Sequence, residues 1–152
     1  MPLEPYQQWL VRGDNATDPF DALANYWRGF NGLYFPFEGS NEREKIKAFI
    51  QAAIPEDRAS YLINNNLAPI DRLLSEPIID MRGTGRNTAE NIDEFHRRVT
   101  YLDKLKEVCM VAYQVRCNAE HGQKLPIDER DRYLCKAASI LLADILRNYI
   151  PS

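Results

Sequence analysis

A chain of 152 residues with 45% hydrophobic and 27% charged side chains has enough apolar material for one packed core, and too much for intrinsic disorder. Its formal net charge of −3 excludes a general attraction to polyanions, so any nucleic-acid binding must come from a local cluster of cations. No run of 18 apolar residues occurs and Met1 to Gln8 lack a basic, apolar leader, so a cytoplasmic protein with no membrane association is expected. Cys109, Cys117 and Cys135 show no CxxC or Cys/His ligand spacing and are expected as reduced thiols.

Leu3 to Val11 suits one or two helical turns, broken at Gly13-Asp14-Asn15, so residues 1–17 are expected as an N-terminal extension of a single domain with its core over about residues 18–150. Asp18 is placed to cap a helix and Pro19 to occupy its first position, where the missing N–H costs nothing. Phe20, Leu23, Trp27, Phe30 and Tyr34 then recur at steps of three and four on one stripe, ending near Pro36. Ser40 is expected to cap a second helix, with Ile46, Phe49, Ile50 and Ala53 buried before Pro55. A short third helix is expected over 55–64. Asn64-Asn65-Asn66 interrupts the pattern, and Pro69 and Pro77 bracket a brief turn from Ile70 to Leu74. The stretch Met81-Arg82-Gly83-Thr84-Gly85-Arg86 has neither the GxxxxGK[ST] spacing nor the preceding strand of a phosphate loop, and reads as a flexible connection.

From a capping box at Asn87 and Glu90 to His121, the residues Ile92, Phe95, Val99, Leu102, Leu105, Cys109, Ala112 and Val115 keep helical spacing. That predicts one helix of roughly 30 residues, about 45 Å long. Gly122 and Pro126 are suited to end it. Asp128 then starts a last helix with Leu134, Ala137, Ala138, Leu141, Ile145 and Tyr149 inward. No run alternates with period two, so the expected fold is an all-α bundle of four to five principal helices, the last two antiparallel.

Near the end of the long helix the chain reads Tyr113-Gln114-Val115-Arg116-Cys117-Asn118-Ala119-Glu120-His121-Gly122-Gln123-Lys124. This resembles the Arg-x(4–6)-His signature of HEPN domains, and the wording Val-Arg-Cys-Asn-x-x-His-Gly-x-Lys is similar to their Apea-like branch. The segment Asn25 to Tyr34, the run Glu42-Arg43-Glu44-Lys45 and the Ile and Leu pattern of residues 140–146 are also similar to that branch. The resemblance spans about Asp18 to Ile150. It implies an HEPN-like bundle and a metal-independent endoribonuclease with no cofactor, in which RNA's 2′-hydroxyl attacks to leave a 2′,3′-cyclic phosphate. It also implies a composite site across a symmetric homodimer, with Arg116, His121 and Asn118 catalytic and Gln123 and Lys124 binding substrate. Such proteins often serve as toxins or antiviral nucleases, sometimes beside a nucleotidyltransferase or other antitoxin partner. In the family a polar residue commonly follows the arginine; here Cys117 stands there and Asn118 comes next.

The residues themselves suit this chemistry. Arginine pairs two oxygens of one phosphate through a planar fork, and histidine exchanges protons near neutral pH. Asn118 lies three residues before His121 and shares its face of a helix, placed to orient the imidazole or hold a phosphate. Arg116 lies five residues before it, about 140° round the helix, so the two converge only if the last turn unwinds or a second copy contributes.

Plainer readings are a surface ion pair between Arg116 and Glu120 at i and i+4, and His121 as a C-terminal cap residue. A different class of function, a non-catalytic helical RNA-binding or protein-interaction module, would use the cations Arg97, Arg98 and Lys104. From Arg97 to Lys124 six basic residues face only Asp103, Glu107 and Glu120, a bias that a solvated helix face also explains. His96, about 37 Å along a straight helix from His121, is expected outside the site. Trp27, Phe30 and Tyr113 are expected in the core, and Asp93-Glu94 and Asp128-Glu129-Asp131 as helix-start charges, with no metal assigned.

Overall fold

In the computed structural model, which describes residues 2–121 and 129–151, the chain is all-helical. Among the described residues the helices are α1 (Pro5–Asn15), α2 (Pro19–Tyr34), α3 (Glu42–Ala53), α4 (Glu56–Asn64), α5 (Leu67–Leu74), α6 (Ala89–Arg97), α7 (Tyr101–His121) and α8 (Glu129–Asn148). Among the described residues one antiparallel bridge, between Ile79 and Asn87, interrupts the helical pattern, and no helix is long and apolar enough to cross a membrane.

The Asp18 carboxylate accepts from the Phe20 N–H at 2.7 Å, and the stripe that follows builds an aromatic cluster. Trp27, Phe30 and Tyr34 are buried, with ring centroids 5.3 Å apart for Trp27–Phe30 and for Phe30–Tyr34, in edge-to-face geometry; Phe49 of α3 joins at 5.9 Å from Phe30. Such contacts add about 0.5–1.5 kcal/mol each beyond the area they bury. Through the middle runs α7, whose buried Leu105, Val108, Cys109, Val111, Ala112 and Val115 meet the other elements. Its final turns lie beside the start of α8, where Val115 and Ala119 face Leu134 and Cys135.

The expected 30-residue helix is two. Helix α6 ends at Arg97, Arg98 turns to extended backbone, and α7 starts at Tyr101. Val99, the residue that kept the periodicity going, is 91% exposed. The new start is capped twice: Thr100 Oγ1 accepts from Asp103 N–H, and the Glu56 carboxylate of α4 accepts from Tyr101 and Leu102 N–H at 2.8 Å each. These bonds satisfy donors that a continuous helix would have used internally. The α6–α7 pair is a hairpin, with Asn91 bonded to Glu107 and the Phe95 carbonyl to Lys104. His96 is therefore folded back near the start of α7. It remains about 25 Å from His121 by the helical rise from Lys104.

Other boundaries move for local reasons. Helix α1 runs on through Gly13, where the Tyr26 ring occupies the place of a side chain and only glycine fits. Tyr26 then donates to Asp14, which Arg147 grips with both terminal nitrogens at 2.8 Å, so residues before 18 are bound to α2 and α8. Asn41, not Ser40, caps α3 through Glu44 N–H; Ser40 instead donates its N–H and hydroxyl to the Glu44 carboxylate. The turn expected at Ile70 to Leu74 is a full helix from Leu67, since Pro69 falls in its first turn and breaks no bond. At α6, Asn87 Oδ1 accepts from Ala89 N–H, while the Thr88 hydroxyl accepts from Ile78 N–H; Glu90 closes no capping box. The Gly122 and Pro126 stop and the Asp128 start lie outside the described residues.

The 81–86 stretch is pinned rather than loosely strung. Buried Asp80 accepts from the Arg82 N–H and guanidinium and from the Thr84 hydroxyl, and Asp80 N–H donates to the Arg86 carbonyl at 2.9 Å. Gly83 and Gly85 take the positive φ values, 77° and 80°, that this tight return demands. The hydrogen bonds from Arg82 hold the Asp80 carboxyl far below the usual carboxylate range.

Candidate functional site

Arg116, Asn118 and His121 all stand on the last turns of α7, and the helix stays regular through His121. At 100° per residue, Asn118 is turned about 200° from Arg116, and His121 about 140°. Within one chain Arg116 is therefore turned away from the other two, while Asn118 and His121 stay about 60° apart.

Arg116 faces α2 and α3. Its guanidinium is 2.8 Å from Glu120 and 3.8 Å from Glu42, and lies over the Trp27 ring at 5.8 Å from the centroid. An open cleft of about 290 Å³, lined by Trp27, Arg28, Asn31, Arg116 and Glu120, fronts it. The Glu120 side chain is 56% exposed and free to swing aside, whereas Glu42 is fixed. Its carboxylate accepts from the Tyr34 hydroxyl at 2.7 Å, the Tyr113 hydroxyl at 3.0 Å and the Asn31 amide at 3.4 Å. Burial, with Glu42 beside them, raises the pKa of both tyrosines well above the ordinary value, so they stay donors at cellular pH. The arrangement gives one immobile carboxylate that aims a cation and one mobile carboxylate that an incoming anion can displace.

Asn118 faces away, toward the 78–88 loop. Its Oδ1 accepts from Gln114 Nε2 at 2.9 Å and from Met81 N–H at 3.1 Å, and its Nδ2 donates to the Ile79 carbonyl at 2.9 Å. The amide is spent on tying the loop to α7, and none of these bonds involves His121. His121 itself is exposed at the last described position of α7. Gln123 and Lys124 lie outside the described residues.

The expected basic face is consumed internally. Arg97 and Arg98 both pair with Glu94, Lys104 donates to the Phe95 carbonyl at 2.6 Å, and Lys106 bonds Gln51 and Asp103. Glu94, three and four residues before the two arginines, was the sequence signal for this pairing. Trp27, Phe30 and Tyr113 are core residues, as their spacing indicates. Burial pushes the Cys109 thiol up to about 12, and burial with Asp131 and Asp18 does the same for Cys135, leaving partly exposed Cys117 the thiol nearest the site. Among the described residues no group of three or more His, Cys, Asp or Glu is placed to share a metal ion.

Glu42, Gln114 and Arg43 shape this end of the molecule, yet periodicity gives none of them a role, and Tyr34, placed in the core by its spacing, also holds Glu42 through its hydroxyl. Glu42 reads in sequence as one more acid in a helix's first turn. Only its distance from Arg116 in space marks it. Comparison of the chain with protein-family models, with curated proteins and with solved structures gives no match.

Proposed function

We propose that this chain is a metal-independent endoribonuclease of the HEPN type, working in the cytoplasm as a homodimer, with Arg116 and His121 catalytic. The observation that carries the reading is an aimed guanidinium in an open cleft at the same helix end that exposes an imidazole. Since α7 is regular through His121, the two groups act on one phosphate when the ends of two α7 helices meet about a two-fold axis, Arg116 from one copy and His121 from the other.

In that arrangement neutral His121 takes the proton of an RNA 2′-hydroxyl, the O2′ attacks phosphorus, and the P–O5′ bond breaks as the His121 imidazolium so formed gives its proton to O5′. The products are a 2′,3′-cyclic phosphate and a 5′-hydroxyl. Arg116, freed from Glu120, pairs with the phosphoryl oxygens as charge builds on them. Asn118 acts as a positioning residue through the loop it holds. Gln123 and Lys124 are assigned to substrate binding from the motif alone, and the same resemblance suggests a toxin or antiviral setting with a nucleotidyltransferase or other antitoxin partner.

Incubating the purified protein with single-stranded and transfer RNA in EDTA tests this. Cleavage to cyclic-phosphate ends is expected, reduced on the order of 100-fold or more by His121→Ala. RNA left intact, together with no effect of His121→Ala in cells, would overturn it.

A second reading is a non-catalytic RNA-binding or protein-interaction module, favoured by the Arg116–Glu120 ion pair and by the full engagement of Asn118. It predicts that the parent binds without cutting and that His121→Ala leaves binding unchanged.

A further inference from the structure

A second cleft, of about 390 Å³, opens where the first turns of α3 and α6 meet α7. It lies across Tyr113 from the Arg116 site, because that tyrosine bonds Glu42 on one side and carries the Arg43 guanidinium over its ring, 4.7 Å from the centroid, on the other. The walls hold three cations, Arg43, Lys47 and Arg86. Lys47 faces Glu107 at 3.8 Å, but among the described residues neither Arg43 nor Arg86 has a carboxylate within ion-pair distance. Of the acids at the rim, Glu44 is turned onto Ser40, and Glu90 is exposed.

Half-buried Arg43 and exposed Arg86 thus bring positive charge to the same cleft with no carboxylate among the described residues to neutralise either, which leaves both open to an anion. Arg43 is also held ready: it donates to Gln114 Oε1 at 3.3 Å, and buried Gln114 is fixed in turn by Asn118. Its remaining donors form a planar fork suited to phosphate oxygens. Arg86 rides on the loop that Asp80 and Asn118 pin in place. Burial first, and then the charge of Arg86, lower the Arg43 pKa, so the two guanidinium groups lie near enough to act on each other. The starts of α3 and α6 add their partial positive charge. No open aromatic face lines the cleft, since Arg43 covers Tyr113, so it offers a base nothing to stack on.

We propose that this cleft binds a backbone phosphate of the RNA strand, next to the one acted on by Arg116 and His121, with Arg43 and Arg86 as its ligands. The proposal rests on the ribonuclease reading and supplies what an acidic protein needs to grip a polyanion, a local cation pair. It also gives the Asn118 clamp a purpose, since that amide joins the loop bearing Arg86 to the glutamine that holds Arg43.

The test measures binding of a short single-stranded oligoribonucleotide, in two unrelated sequences, to the full chain carrying His121→Ala so that nothing is cut. Adding Arg43→Gln and Arg86→Gln is expected to weaken both sequences alike, on the order of tenfold or more, and to flatten the slope of log K against log salt by about 0.7. The charge-matched control Arg12→Gln with Arg72→Gln, at α1 and α5, is expected to leave the slope in place. Arg86→Gln alone, at an exposed loop position, serves if the double variant unfolds. Affinity and slope equal to the control's would overturn this proposal while leaving the ribonuclease reading standing. No RNA binding by the His121→Ala chain, with no cleavage by the parent, would remove both.

Discussion

On one face of the last turns of α7, Arg116 lies in an open cleft between a fixed carboxylate and a mobile one; on the opposite face Asn118 makes three hydrogen bonds, to Gln114 and the 78–88 loop. Two residues apart in sequence and both half-buried, they differ in what their polar atoms are bonded to. The contrast teaches that adjacency within a motif is not adjacency in a site. A helix turns neighbouring polar residues to different tasks, so one motif supplies a guanidinium in an open cleft on one side and the scaffold that steadies the surrounding loop on the other.

The contrast breaks if the two faces respond alike to mutation. The largest expected effect belongs to the reactive groups: Arg116→Ala or His121→Ala should lower RNA cleavage by about 10²–10⁴-fold. For exposed His121 the thermal midpoint should barely move, because surface changes of this kind stay within about 0.5 kcal/mol. Initial cleavage rates and thermal melts on the same samples check both halves.

Asn118→Ala should do the reverse. Removing three hydrogen bonds at the loop should cost about 1–3 kcal/mol of stability, and the Met81 amide should exchange its hydrogen faster. Cleavage should fall only as far as the loop shifts. A loss as deep as that of His121→Ala with unchanged Met81 exchange would make Asn118 a reacting group and erase the contrast.

A smaller effect sharpens the scaffold side through pH. The Asp80 carboxyl is held below its unfolded value near 3.9 by Arg82, so between the two values the native chain binds fewer protons than the unfolded one. Its contribution is therefore complete above about pH 4 and disappears as pH falls through the depressed native value. The melting-point gap between the parent and Asp80→Asn should be constant from about pH 7 to 5 and narrow below about pH 4. A gap that does not change in acid would mean Asp80 is not the anchor.

The smallest change is on the reactive side. Glu120→Ala removes an exposed i,i+4 ion pair worth only a few tenths of a kcal/mol, so stability should hold. Cleavage should be unchanged or faster, since Arg116 is then free for phosphate. A large drop in cleavage would give Glu120 a role of its own.

Much of the fold was legible because it follows from local chemistry. The Asp18-Pro19 start, the Phe20 to Tyr34 stripe and the cores of α3 and α8 need only periodicity and caps. The α6–α7 break was not, since Val99 keeps helical spacing past the local Thr100 cap and the second cap that starts α7 comes from Glu56, 45 residues earlier in the chain. Of the site, Arg116 and His121 were readable as types, as was the 140° that parts them. Glu42 and Arg43 were visible only as letters in a helix start. Their roles depend on α3 packing against α7, a tertiary contact that spacing within one helix does not encode.

The most direct test of the shared centre is to mix inactive Arg116→Ala and His121→Ala chains, letting copies exchange before assaying cleavage. If each centre takes its guanidinium from one copy and its imidazole from the other, half the dimers regain one intact centre, and activity returns to about a quarter of the parent's. A mixture as inactive as either variant alone, with exchange verified, would contradict the account.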